Sequence, residues 1–226
     1  MNSHIPVITV DGPSGSGKGT ICQLLAKALG FHLLDSGALY RLTAVAGVAQ
    51  GVDLHDADAI AQVARKLNVA FEPSDKGVLA LLEGVDVTSD IRKEAAGMGA
   101  SVVAAHLPVR EALLERQRDF QQAPGLVADG RDMGTTVFPD AEVKVFLTAS
   151  AEERAQRRYK QLLERGESAN LRALLDDIRA RDTRDTERSA SPLQSAEDAL
   201  VIDSTVMSID EVLKTVLLLV KRISKA

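Results

Sequence analysis

Nine consecutive residues, Gly12-Pro13-Ser14-Gly15-Ser16-Gly17-Lys18-Gly19-Thr20, combine four glycines, two serines, a threonine and a lysine. Glycines at such spacing let backbone N–H groups converge on phosphate oxygens, and Lys18 adds a point charge for the outer phosphates. A plain Gly-Ser loop is the alternative, and the local context decides between them. The loop follows the β-branched run Val7 to Asp11 and opens a segment with Leu24, Leu25, Ala28 and Leu29 at helical spacing. That order, strand, loop and helix, aims the positive end of a helix dipole at an anion. One position departs from the general pattern. Gly19 stands where a Ser or Thr hydroxyl would bind Mg²⁺, and Thr20 comes one residue late. Direct ligation by the loop is therefore not expected. The ion would be held by phosphates and water, its ordinary preference. Asp129, at the end of an apolar run, is the candidate to contact those waters, or else caps the turn that follows it.

A second group of charged residues falls at 154–188. Nine of the seventeen arginines lie there: Arg154, Arg157, Arg158, Arg165, Arg172, Arg179, Arg181, Arg184 and Arg188. Acidic residues are interspersed, so a pair of solvated, salt-bridged helices explains the composition. Lysine is nearly absent, with Lys160 alone, and a planar fork of donors suits phosphate better than an ammonium does. Both readings stay open on composition. Arg41, Arg110 and Arg131, near predicted strand ends, supply further cations. Joining two anionic nucleotides takes a second anion site and a cationic element that closes over both, which describes a small kinase. A guanine-nucleotide switch would carry Asn-Lys-x-Asp and Asp-x-x-Gly, and neither sequence occurs.

These residues must be held by a scaffold, and the apolar runs predict it. Val7–Asp11, Phe31 to Leu34 before Asp35, Leu126 to Ala128 before Asp129, Val143–Thr148 and Leu200 to Ile202 before Asp203 are five short apolar segments, several closed by an acid. Runs of that kind suit parallel strands buried on both faces. Separated by helix-like segments, they predict an α/β sheet with its ligand site at the strands' carboxyl ends. Between Arg65 and Arg92, Val69 to Phe71, Gly77 to Leu82 and Val85 to Val87 are predicted to be short strands. The turn signals Pro73 to Gly77 and Glu83-Gly84 divide them into a small antiparallel insert. A C-terminal helix from Ile209 to Ile223 is expected to open with a capping box, Ser208 and Glu211.

The rest of the chain sets limits. With 226 residues, 45% hydrophobic and 26% charged, no disulfide or structural metal is needed for a core. A net charge of -5 argues against a dedicated nucleic-acid binder. Cys22, the single cysteine, cannot form an internal bridge and is expected to be a buried apolar residue. The chain shows no leader pattern, and Val216 to Val220 is too short to span a bilayer. A cytoplasmic protein without membrane or nucleic-acid partners is expected, and a monomer. The histidines, His4, His32, His55 and His106, lack metal-ligand spacing and are assigned no role.

The Gly-Lys-Gly-Thr form of the loop resembles nucleoside monophosphate kinases. Three further blocks resemble the bacterial cytidylate kinase family: Asp35-Ser36-Gly37-Ala38-Leu39-Tyr40-Arg41, Ala128-Asp129-Gly130-Arg131-Asp132-Met133-Gly134, and Arg181-Asp182-x-x-Asp185-x-x-Arg188. The similarity runs along essentially the whole chain. It implies a three-layer P-loop kinase fold with a central parallel five-stranded sheet and a core of 1–64, 93–150 and 189–226. A monophosphate-binding insert at about 65–92 and an Arg-rich helical lid at about 151–188 complete it. It also implies ATP on Gly12 through Thr20, with Arg157 or Arg158 against it, and CMP or dCMP as acceptor. Ser36, Arg110, Asp132 and Arg188 would surround the cytosine. Arg41 and Arg131 would hold the acceptor phosphate with Tyr40 nearby. Ser101, Arg181 and Asp185 would contact the sugar, and Arg181 would also reach the phosphate. Lys18, Arg131, Arg181 and Arg188 are the residues expected to act in catalysis.

The chemistry of the base fits. Cytosine offers an N4 amino donor beside acceptors at N3 and O2, so a carboxylate such as Asp132 and a guanidinium such as Arg110 complement that edge. A structural ion pair is the other reading of these two residues. The expected activity is ATP-dependent phosphorylation of CMP and dCMP with Mg²⁺. A related kinase acting on UMP, or a nucleotide switch with slow ATP hydrolysis, are the alternatives.

Overall fold

The computed structural model describes residues 5–74 and 77–223. In chain order the elements begin with β1 (Val7–Asp11), α1 (Lys18–Leu29), β2 (His32–Asp35), α2 (Ser36–Ala49) and α3 (Ala57–Arg65). There follow β3 (Val69–Ser74), β4 (Gly77–Leu82), β5 (Val85–Asp86), α4 (Glu94–Val103), α5 (Leu107–Arg118) and β6 (Leu126–Gly130). A single π-helical turn (Met133–Val137), β7 (Val143–Thr148), α6 (Ala151–Glu164), α7 (Leu171–Glu187), β8 (Leu200–Asp203) and α8 (Ile209–Ile223) complete the chain. These elements cluster into two compact units, Met1–Asp35 with Arg118–Ala226, and Ser36–Gln117.

The first unit is an α/β layer built on a five-stranded parallel sheet, ordered β2-β6-β1-β7-β8. All five predicted strands form. Burial on both faces, however, holds only in the middle. β1 and β6 are buried at every position and β7 at alternate ones, while β2 and β8 each bury a single residue. Edge strands have one neighbour instead of two, so the same apolar pattern ends half in solvent. Ile8, Val10, Leu25, Val127, Val145, Leu147, Val212 and Val216 fill the core beneath α1 and α8. Each such side chain contributes roughly 1.5–3 kcal/mol on burial. Cys22 lies in this core, its thiol pushed well up by burial, as a small apolar residue. The expected capping box opens α8: Ser208 N–H donates to Glu211 Oε2 at 2.8 Å and Glu211 N–H to Ser208 Oγ at 3.3 Å.

Register sets the carboxyl ends side by side. Asp11 pairs with Gly130 and Phe146, Val10 with Asp129, and Asp35 with Asp129. The acids that close the apolar runs therefore collect at one rim.

The second unit packs α2 on α4 and α3. Gly99 lets these helices approach, since a Cβ there would stand 3.0 Å from Ala44 Cβ. The insert is a three-stranded antiparallel sheet, β3-β4-β5, with Val69 opposite Leu82 and Leu82 opposite Val85. Its last strand stops at Asp86, one residue short of the expected Val87. The turn expected at Asp75 and Lys76, like His4, lies outside the described residues. His32 and His106 each place Nε2 at a backbone carbonyl, of Ala123 and Leu54.

Candidate active site

The phosphate loop leaves β1 at Gly12, whose φ of 152° and lack of a side chain are both required. A Cβ there would lie 2.0 Å from the carbonyl oxygen of Leu147 on β7. Gly17, at φ 92°, caps the N-terminus of α1, which begins at Lys18. Lys18 is buried, donates to Pro13 O at 3.1 Å and stands 4.0 Å from Asp129 Oδ1. Burial and the Arg131 charge hold its ammonium down to about 8, Asp129 pulling the other way. A phosphate would reverse that penalty and keep the charge on.

Gly19 lies against the same aspartate, since a Cβ on it would be 3.3 Å from Asp129 Oδ2. The residue replacing the usual hydroxyl therefore makes room for a carboxylate, while Thr20 is exposed. Asp129 beside a phosphate loop fits a hydrated Mg²⁺ held through its waters. Ser16 Oγ, also in the loop, is buried with no hydrogen-bond partner among the described residues.

The arginines of α6 and α7 divide between the two readings left open by composition. Arg165, Arg172 and Arg184 are exposed, and Arg179 makes a surface pair with Glu152 at 2.6 Å. Others turn toward the loop and the strand ends. Arg181 Nη1 lies 3.4 Å from Ser14 Oγ. Arg131, just past β6, donates from Nε to Asp185 Oδ2 at 2.9 Å. Burial alone would raise the Asp185 carboxyl, but the charge and hydrogen bond of Arg131 hold it below its ordinary value. Arg188 Nη2 lies 3.8 Å from Asp132 Oδ1, and its Nε donates to Ser191 O at 2.7 Å. Arg157 reaches Ser16 O and Ser204 O from its two Nη groups, bracing the loop's backbone, and Arg158 is half-buried.

In the second unit Ser36 starts α2 and is buried. Tyr40, one turn on, is also buried, and the Arg110 guanidinium stands over its ring at 5.7 Å from the centroid. Arg110 sits on α5 rather than at a strand end, and donates to Ala104 O at 3.2 Å. Arg41 is half-buried on α2. Ser101 on α4 is buried with its hydroxyl lacking a hydrogen-bond partner among the described residues.

The family model described as cytidylate kinase matches residues 8–222, nearly the whole chain. The chain belongs to the cytidylate kinase family. Among its relatives, the cytidylate kinase of Aeromonas salmonicida (strain A449) is 60% identical over 96% of this chain and 94% of its own. That of Stutzerimonas stutzeri (strain A1501) is 59% identical, and that of Vibrio cholerae serotype O1 58%, each over 96% of both chains. The match spans the phosphate loop, the β3-β4-β5 sheet and helices α6 and α7 alike.

Two residues of this cytidylate kinase family member are placed by the structure without having been singled out by sequence. Arg154, 4% exposed, donates from Nε to Ala149 O at 2.9 Å and from Nη1 to Ser14 O at 3.1 Å. It also grips Asp182 on α7 through both Nη groups, at 3.0 and 2.5 Å. Asp11, the last residue of β1, accepts from the amides of Met133 and Gly134, each at 2.8 Å. Burial, partly opposed by those two amides, raises its carboxyl to about 7, and the charges of Asp132 and Asp129 add to the rise. Its signal in the sequence was an acid directly before the first loop glycine.

Proposed function

We propose that this chain transfers the γ-phosphoryl group of ATP to CMP and dCMP, yielding ADP with CDP or dCDP, in pyrimidine nucleotide metabolism. The family match over residues 8–222 carries the reading. No observation favours UMP as acceptor or a slow hydrolytic switch. The acceptor oxygen belongs to a phosphate whose second pKa is about 6, so it is already ionised near neutrality and no general base is needed. What must be overcome is repulsion between two anions, and catalysis then rests on positioning and charge.

In this reading Gly12 through Thr20 cradle the ATP phosphates, with Lys18 on the outer ones and Arg157 and Arg158 contributing from α6. Arg131, Arg181 and Arg41 take the acceptor and transferring phosphates. Asp185, accepting from Arg131 Nε, fixes the plane of that guanidinium. Ser36, Arg110, Asp132 and Arg188 recognise cytosine, with Tyr40 under the Arg110 fork, while Ser101, Arg181 and Asp185 recognise the sugar. The buried, unpartnered hydroxyl of Ser101 supports its part, because such a group costs stability unless something hydrogen-bonds it. Mg²⁺, when bound, neutralises phosphate charge. Asp129 would accept hydrogen bonds from its waters. The insert at about 65–92 acts as the monophosphate-binding part and 151–188 as the lid, on a core of 1–64, 93–150 and 189–226. A monomer in the cytoplasm completes the reading, and a single buried cysteine without a bridging partner fits a reducing compartment. Among the described residues no helix is long and apolar enough to cross a membrane.

The test is ADP production from Mg-ATP with CMP, dCMP, UMP, AMP or no acceptor. Turnover confined to the cytosine nucleotides is expected. Turnover on UMP at equal efficiency would remove the base-reading roles, and equal ADP without acceptor would remove the kinase reading altogether.

A further inference from the structure

The π turn Met133–Val137 has an unusual cap. Asp132 occupies its N-cap position, and aspartate there ordinarily turns back to accept from the second or third amide of the turn. Asp132 makes no such bond. The first two amides of the turn are taken instead by Asp11, 122 residues before Met133 in sequence, whose Oδ1 accepts from Met133 N–H and Oδ2 from Gly134 N–H, both at 2.8 Å. Gly134 N–H is the second amide, one of those a capping Asp132 would use. Gly134 is pressed against the same strand, for a Cβ on it would lie 2.8 Å from Thr9 Oγ1. The turn is thus seated on β1 by a carboxylate that belongs to the strand leading into the phosphate loop.

We infer that Asp11 is a positioning residue for base recognition: by capping the π turn in place of Asp132, it keeps the Asp132 carboxylate turned to Arg188 and available to the cytosine amino group. The inference rests on the proposed role of Asp132 in reading that base. A carboxylate at the N-cap with the Gly134 amide two residues on, and no competitor for it, would accept from that amide and withdraw from its arginine. Asp11 is that competitor. It also ties the base-reading segment to Gly12, its own neighbour, so that loop and reader share one anchor.

The variant Asp11→Asn keeps size and one acceptor but sets an NH₂ group against the other amide, which then seeks Asp132. Steady-state kinetics at pH 8, where the Asp11 carboxyl is ionised, would be measured for CMP, UMP and ATP beside Asp132→Asn. The expected result for Asp11→Asn is a rise in KM for CMP of about tenfold, the worth of one strong hydrogen bond. The CMP-to-UMP ratio of kcat/KM should narrow by a similar factor, with KM for ATP within about twofold of wild type. A merely structural role would lower active enzyme and leave KM and base preference untouched, and that outcome overturns the inference. If Asp132→Asn itself leaves base preference unchanged, the base-reading role fails and the inference with it. If only Asp11→Asn is silent, the base-reading role stands and the inference alone falls. Should Asp11→Asn not fold, Gly134→Ala displaces the same turn without touching Asp11. It should show the same loss of selectivity, and adding Thr9→Ala, which removes the 2.8 Å contact and leaves only the flexible Lys144 stem at 3.3 Å, should recover it. Failure of that recovery also counts against the inference.

Discussion

Arg154→Ala should loosen α7 from the phosphate loop. Four donor contacts disappear: to Ala149 O, to Ser14 O and two to Asp182. Breaking a buried ion pair costs about 3–5 kcal/mol when the partner stays behind. The Asp182 side chain is 26% exposed and recovers some hydration, so the low end, about 3 kcal/mol, applies. For a chain of this length that corresponds to a fall in Tm of roughly 6–12 °C. The effect on turnover should exceed the effect on folded fraction, because α7 carries Arg181 and Asp185, and misplacing groups by an ångström costs about 10²-fold. Thermal melts, amide exchange across α7 and ADP production at a temperature where the variant is fully folded would be measured together. Arg154→Lys restores charge but not the fork and should recover little. In a double-mutant cycle, Arg154→Ala with Asp182→Asn should be less than additive by at least ~1 kcal/mol. A Tm within 2 °C of wild type, or unchanged exchange in α7, would refute the reasoning, since the geometry leaves Arg154 no other purpose than this clasp.

Arg131→Ala and Arg181→Ala should each depress turnover with CMP on the order of 10²-fold or more; unchanged rates in both would remove them from the transfer step. Gly12→Ala should cost at least ~2 kcal/mol in denaturant unfolding, because its Cβ would meet Leu147 O at 2.0 Å and neither β1 nor β7 can yield cheaply. Asp11 binds its proton more tightly in the folded state, its carboxyl being raised from 3.8 to about 7, so its contribution to stability falls as pH rises across that interval. Wild type should therefore lose stability relative to Asp11→Asn between about pH 4 and 7; a constant difference across that range in urea titrations contradicts the burial argument.

Much of this was legible in the residues themselves. Short apolar runs between turn formers mark all five sheet strands, the glycine spacing marks the phosphate loop, and Ser208 with Glu211 marks the start of α8, because each signal is local. Edge and centre were not distinguishable: Leu200 to Ile202 looks as apolar as Leu126 to Ala128, yet only a second neighbour on the sheet buries it. Nor does composition say which arginine does what. Arg154 in the first turn of α6 is buried and Arg165, just past its end, is exposed, and that difference is a property of packing. The Asp11 cap joins residues 122 positions apart, and no spacing rule reaches that far. Arg110 looked like a strand-end cation because the helix that carries it, α5, also carries Glu111, Glu115, Arg116 and Arg118 and shows little apolar periodicity.

Acids set among the arginines of the proposed anion site require an explanation, since a carboxylate repels phosphate. Arg131 with Asp185, Arg154 with Asp182 and Arg188 with Asp132 all follow that pattern. A guanidinium removed from water without a partner costs several kcal/mol, so a cluster of bare arginines could not be buried here. Pairing each with an acid lets the cations sit low in the structure with their forks already oriented, and transition-state charge is then met without reorganisation. The pairs also differ in what remains available. Asp182 takes both Nη groups of Arg154, which makes that arginine a structural clasp, whereas Asp185 accepts only from Nε of Arg131, whose Nη1 makes one long bond of 3.4 Å to Gly130 O. The choice of which nitrogen the acid occupies thus separates Arg154, which clasps α7, from Arg131, which the proposed function assigns to phosphate, although the residue types are the same.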